Sequence, residues 1–116
     1  MSIKREVRDY LEDILQSVQD IREFVAGMDF PQFHSDRKTF HAVVRSLEII
    51  GEAARKIPDE MRDRHPGLPW REMGAMRNKL IHECFGVDPE IVWETIQQDL
   101  NLLEGTVRDL LDQISV

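Results

Sequence analysis

Arg77 and His82 stand five positions apart in the run Met76-Arg77-Asn78-Lys79-Leu80-Ile81-His82. The run leads into Glu83-Cys84-Phe85-Gly86-Val87-Asp88-Pro89, whose glycine, aspartate and proline end a helix. A guanidinium can hold and neutralise a phosphate through two parallel N–H donors. An imidazole can move protons near neutral pH. Side by side, the two groups suffice for phosphodiester chemistry without a metal. On a continuous helix, however, five residues turn through about 140°, so this pair does not share a face. Either the helix loosens near Ile81, or the two groups meet their counterparts across an interface between two copies of the chain. The same spacing also fits a surface arginine followed by a histidine that caps the last carbonyls of a helix. Spacing by itself leaves both readings open.

The elements that must position this corner read as helices. Val7, Leu11, Ile14, Val18, Ile21 and Val25 recur at steps of four and three, with Ile3 ahead of them and Gly27 closing the stripe. A second helix begins near Ser35 or Asp36, both good N-caps, and carries Phe40, Val43, Val44, Leu47, Ile50, Ala54 and Ile57 up to Pro58. A short helix from about Asp59 to Arg64 precedes the turn His65-Pro66-Gly67-Leu68-Pro69. Pro69 suits the first position of a helix running through Ile81. Asp88 as N-cap, Pro89 at the first position and Glu90 beside the macrodipole then start a last helix. Its apolar stripe is Val92, Ile96, Leu100, Leu103, Val107, Leu110 and Ile114, with Gly105 a local weakness on the other face. No useful β-alternation appears. The pattern predicts an all-α, four- to five-helix, up-and-down antiparallel bundle forming a single domain over 1–116.

Composition narrows the class. The chain has 116 residues, with 41% hydrophobic and 32% charged, as an ordinary globular domain does. No apolar run approaches the roughly 20 residues that cross a bilayer, and Met1-Ser2-Ile3-Lys4-Arg5-Glu6 has no apolar stretch of the signal-peptide kind. A cytoplasmic protein without a membrane partner is the expectation. The single cysteine, Cys84, excludes an internal disulfide framework and a cysteine-rich zinc site. Net charge is −7, against the basic surface of a general nucleic-acid coat. Yet 53–82 holds seven basic residues (Arg55, Lys56, Arg62, Arg64, Arg71, Arg77, Lys79) and four acidic ones (Asp59, Glu60, Asp63, Glu72), so it carries +3 and the remainder −10. That split suits a local anion-binding face, and uneven chance distribution produces it equally well.

Other constellations are weaker. A carboxylate-bridged metal centre needs Glu-x-x-His pairs on facing helices, which the chain lacks, so no metal or cofactor is expected. His34, His41 and His65 have no ligand spacing and read as surface or turn residues. Trp70 and Trp93 read as core or interface, with Trp70 also able to stack a base beside the basic segment. Glu52, one turn after Glu48, could hold Arg77 or orient His82, or serve as a buried carboxylate tied to helix-end amides. Cys84 fits a small core position.

As a set, these stretches resemble the HepT toxin family of HEPN-domain ribonucleases. The resemblance rests on Arg77-Asn78-Lys79-Leu80-Ile81-His82 as R-x4-H, on Ile49-Ile50-Gly51-Glu52-Ala53-Ala54, on Pro69-Trp70-Arg71-Glu72-Met73 and on His82-Glu83-Cys84-Phe85-Gly86-Val87-Asp88. It covers nearly the whole chain in order. It implies a small helical homodimer that cleaves RNA without a metal, with two motif copies facing each other at the interface. Arg77 and His82 would be catalytic, with Asn78 in the supporting polar slot and Lys79 and Glu52 in phosphate-binding or supporting roles. It further implies a type VII-like toxin–antitoxin pair with an MntA-type minimal nucleotidyltransferase, which adds AMP to a tyrosine in H-x-Y. Here that position is Cys84, and Tyr10 is the only tyrosine, far off in the first helix. A thiol is a poor stable acceptor for AMP, so inhibition by complex formation is the expectation. The alternative is a non-catalytic HEPN-type module in which the same residues grip a nucleotide or a nucleotidyltransferase partner.

Overall fold

A computed structural model describes residues 5–74 and 87–114. Helix α1 (Val7–Phe24) forms where the sequence stripe predicts it, and Leu11, Ile14, Val18 and Ile21 are fully buried. Its start is fixed by the Asp9 carboxylate, which accepts from the Glu6 backbone N–H at 2.8 Å. Past its end, Gly27 has φ +76°, a left-handed conformation that glycine adopts without steric cost.

Helix α2 (Phe30–Ser35) is an element that apolar periodicity does not announce, being too short to show any. It is held by reciprocal capping. The Gln32 N–H donates to Asp29 Oδ1 at 3.0 Å, and the Asp29 N–H donates to Gln32 Oε1 at 2.9 Å. Its purpose in the core is Phe33, fully buried, whose ring lies 5.1 Å from Trp93 and 5.9 Å from Phe40. Asp36, rather than Ser35, caps α3 (Arg37–Arg55). Its carboxylate accepts from the Thr39 N–H at 3.1 Å and the Thr39 hydroxyl at 2.8 Å. Those same bonds, the backbone N–H first, hold the Asp36 carboxyl below its ordinary value of 3.8.

Helix α3 packs along α1, burying Val43, Val44, Leu47, Ile50, Gly51, Ala53 and Ala54. Helix α4 (Asp59–Asp63) follows Pro58 and contributes Met61 to the core. The next helical residues, 70–74, form the described part of α5. Pro69 caps them instead of occupying the first helical position, for its carbonyl accepts the Met73 N–H at 3.0 Å.

The single last helix expected from the periodicity is two segments, α6 (Pro89–Gln98) and α7 (Leu100–Ile114). Asp88 caps α6 as expected, accepting from the Glu90 N–H at 2.9 Å. The break falls at Asp99, with φ −105° and ψ −18°. One turn earlier the Thr95 hydroxyl donates to the Ile91 carbonyl at 2.8 Å, a back-bond that bends helices. The apolar phase survives the bend, since Val92, Ile96, Leu100, Leu103, Val107 and Leu110 all remain buried. Among the described residues the all-α bundle therefore stands, in seven helical segments where four or five were expected. The two additions are α2 and the break at Asp99.

One core cluster joins all these elements, with α1 against α3 and α7, and α2 against α3 and α6. Each Leu, Ile or Val in it contributes about 1.5–3 kcal/mol by leaving water. None of the described helices is long and apolar enough to cross a membrane.

Candidate functional site

Arg77, Asn78, Lys79, His82 and Cys84, with Met76, Leu80 and Ile81 of the expected helix, lie outside the described residues. What the structure gives is the frame on either side, ending at Gly74 and resuming at Val87. Glu52, the remaining residue singled out by the sequence, is half-buried on α3. With Glu48, Ile49 and Ala53 it lines a polar cleft of about 300 Å³ closed by Arg5, Tyr10, Asp13 and Arg45. The cleft is laced internally. Arg5 pairs with Asp13 at 2.8 Å and sits 4.9 Å above the centre of the Tyr10 ring, while Arg45 reaches Glu48 at 3.3 Å. Glu48 is thus engaged by Arg45, on the same helix.

The basic segment is less uniformly available than its count suggests. In α4 Arg62 pairs with Asp59, and Arg64 pairs with Glu60 at 2.9 Å while reaching Gln113 at 3.2 Å. Lys56 and Arg71 are exposed and make no ion pair among the described residues, whereas Arg55, exposed at the end of α3, is engaged in an interaction of its own. The described cations without an ion pair are therefore spread out, with Arg8 on α1, Arg37 and Lys38 at the start of α3, Lys56 past its end and Arg71 in α5.

A backbone contact joins the end of α3 to the start of α5. The position that a Cβ on Gly74 would occupy lies 2.7 Å from Arg55 Cγ and 3.1 Å from Arg55 Cδ. Only a glycine lets the arginine stem lie so close. Periodicity gives no hint of this pairing. The available sequence signal is an isolated glycine inside an otherwise helical stretch, which marks a close approach.

Trp70 is 7% exposed, and its indole N–H donates to the His65 carbonyl at 3.0 Å. With its faces in the core and its one donor used, it has no surface on which to stack a base, so that expectation is corrected in favour of a structural role. Trp93 packs on Phe30 and Phe33. His34 and His41 are exposed beside Phe30 and Phe40, and His65 sits half-buried in its turn. Among the described residues no group of three His, Cys, Asp or Glu side chains could hold a metal ion. An apolar groove of about 120 Å³, lined by Leu47, Ile50, Leu68, Met73, Leu100 and Leu103, has Glu72 and Asp99 but no cation along it. It offers a phosphate nothing.

An all-α bundle whose described helices lie on either side of the R-x4-H run in sequence is consistent with a HEPN-type ribonuclease. The family model described as ribonuclease HepT-like matches residues 14–110. A protein of Thermococcus cleftensis named a probable ribonuclease HepT is 47% identical over 108 residues, covering 93% of this chain and 98% of its own length. A candidate RNase of Caldanaerobacter subterraneus subsp. tengcongensis is also 47% identical, over 106 residues, covering 91% of this chain and 95% of its own. A third, a candidate RNase of Methanocaldococcus jannaschii, is 40% identical over 111 residues. No solved structure matches at a significant level. The chain belongs to the HepT-like ribonuclease family.

Proposed function

We propose that this protein is an endoribonuclease toxin that cleaves RNA without a metal, as a homodimer whose two Arg77/His82 pairs share one cleft. The observation that carries the reading is the family match over 14–110, which runs straight through the R-x4-H segment. His82 takes the proton from a ribose 2′-hydroxyl, and the freed oxygen attacks the adjoining phosphorus. The bond from phosphorus to the 5′-oxygen breaks, and the imidazolium returns the proton to that oxygen. The products are a 2′,3′-cyclic phosphate and a 5′-hydroxyl. Arg77 neutralises charge growing on the phosphoryl oxygens, Asn78 donates to phosphate or fixes Arg77, and Lys79 adds local positive charge. Glu52, on α3, is a supporting carboxylate.

The overall charge of −7 does not oppose this. At physiological salt, exposed charges beyond about 8 Å are largely screened, so the cations near the scissile phosphate outweigh acidic residues on distant helices. The partner that silences the toxin is a minimal nucleotidyltransferase of the MntA type. With Cys84 where the family's modified tyrosine stands, silencing proceeds by complex formation.

The test is cleavage of total RNA by purified protein in excess EDTA, beside Arg77→Ala and His82→Ala proteins shown to be folded. Wild-type cleavage with loss in both variants supports the mechanism. An inert wild type, equal cutting by the variants, or fragments ending only in 3′-hydroxyls would falsify it.

A further inference from the structure

Where the turn over 65–69 carries the chain from α4 into α5, it leaves an open cleft of about 270 Å³, lined by Asp59, Arg62, Asp63, Pro66, Trp70 and Arg71. The charged groups on it are not equivalent. Arg62 is already tied to Asp59 within α4. Asp63 and Arg71 are both exposed, and neither makes an ion pair among the described residues. Opposite charges on one cleft thus stand beyond ion-pair distance of each other, an acceptor on one side and a donor on the other. Pro66 and the rim of the nearly buried Trp70 supply an apolar wall without a stacking face.

A ligand that suits this pair offers donors to a carboxylate and acceptors to a guanidinium. A bare phosphate does not, because it meets Asp63 as well as Arg71. Guanine does. Its N1–H and 2-amino group donate to the two oxygens of a carboxylate, while its O6 and N7 accept two guanidinium N–H groups. Adenine, cytosine and uracil each lack two neighbouring donor atoms on one edge. The other described cations offer no such pairing. Arg8, Arg37, Lys38 and Lys56 also make no ion pair among the described residues, but none of them lines this cleft, the polar cleft at Glu52 or the apolar groove. Arg5 and Arg45, on the polar cleft, are bonded to Asp13 and Glu48, and Arg55 has an interaction of its own. We infer that Asp63 and Arg71 form a subsite that reads a guanine base of single-stranded RNA. Arg71 precedes Arg77 by six residues, a span of no more than about 22 Å even in a fully extended chain. The base read is therefore within a few nucleotides of the phosphate that is cut. This rests on the ribonuclease reading above and adds a specificity-determining contact to it.

The experiment measures binding of short single-stranded RNAs to the full-length protein carrying His82→Ala, which blocks cleavage. An all-uridine strand is compared with strands that carry a single guanosine at each position in turn. At one position guanosine is expected to tighten binding roughly five- to fiftyfold, and adenosine there is not. Inosine, which lacks the 2-amino group, and 7-deazaguanosine, which lacks N7, each forfeit part of that gain. Asp63→Ala abolishes the difference between guanosine and inosine, and Arg71→Ala the difference between guanosine and 7-deazaguanosine, because each pair acts through one contact. Arg37→Ala leaves both differences in place. A parent that binds RNA with no preference for guanosine, or with a preference that inosine and 7-deazaguanosine retain in full, overturns the subsite and leaves the ribonuclease reading intact. So does a preference that survives both Asp63→Ala and Arg71→Ala. Equal weakening of every strand by Arg71→Ala, with a shallower salt slope, marks a phosphate contact and overturns the base subsite as well. A parent that binds no RNA removes the ribonuclease reading, and the subsite with it.

Discussion

Helices α1, α3 and α7 enclose Leu11, Ile14, Val18, Ile21, Val43, Val107 and Leu110, every one fully buried. The stretch from Ile57 to Gly74 is built differently, from a five-residue helix, a proline-flanked turn and the opening of α5, with only Ile57, Met61, Leu68, Trp70 and Gly74 buried. The first region buys stability with long amphipathic stripes, which tolerate no charge on their inner faces. The second buries fewer side chains and leaves Arg64 and Arg71 exposed at the surface. Core and surface duties are thus divided unevenly along the chain, and substitutions in the two regions should have different readouts.

The sharpest separation is expected at the proposed catalytic corner. His82→Ala should lower RNA cleavage roughly 100- to 10,000-fold, the range for loss of a positioned general base, with an unchanged thermal midpoint. A parallel drop in the midpoint would mean that His82 belongs to the scaffold. Next comes the core. Ile14→Ala should cost about 2–5 kcal/mol in urea denaturation, because a fully buried side chain leaves a cavity that a three-helix packing cannot fill. A loss under 1 kcal/mol would show that α1 is not held as described. Between these and the surface lies the α3 cap. Asp36→Ala should cost about 1 kcal/mol, while Asp36→Ser retains most of the stability.

The smallest effect concerns the polar lock over the core. Glu104 on α7 accepts from Arg22 on α1 at 2.5 Å and from Arg108 at 3.0 Å, and Arg22 also donates to Asn101 at 2.6 Å. Arg22 first, then Arg108, hold the Glu104 carboxyl below its ordinary value of 4.5. A lowered folded-state value means that the contribution is complete above pH 4.5 and fades as pH falls through the folded-state value. Glu104→Gln should therefore destabilise by under about 1 kcal/mol at neutral pH, since the group is partly solvated. The gap between variant and wild type should narrow below pH 4.5 in denaturation curves taken across pH. A gap that stays constant down to pH 3 would contradict the assignment.

Much of this was legible in the residues. The stripes of α1 and α3, the Asp36 and Asp88 caps and the Pro58 stop are local signals, each resting on helical period or on a side chain bonding its own backbone. Helix α2 escaped because six residues carry no period, although the Asp29/Gln32 capping pair was there to be read. The bend at Asp99 escaped because the buried stripe keeps its phase through it. The base-stacking role considered for Trp70 failed because burial depends on what covers a side chain, and neighbours in sequence do not report that.

The sequence by itself determined the all-α class, the extents of α1 and α3 and the family. It could do so because these depend on patterns within a few turns of chain or on a motif read in order. Only the tertiary structure decided which cations of the basic segment are tied to carboxylates, that Trp70 is scaffold, and that Arg55 lies against Gly74. Those facts follow from distances between residues far apart in the chain, set by how α1, α3 and the α4–α5 stretch pack together.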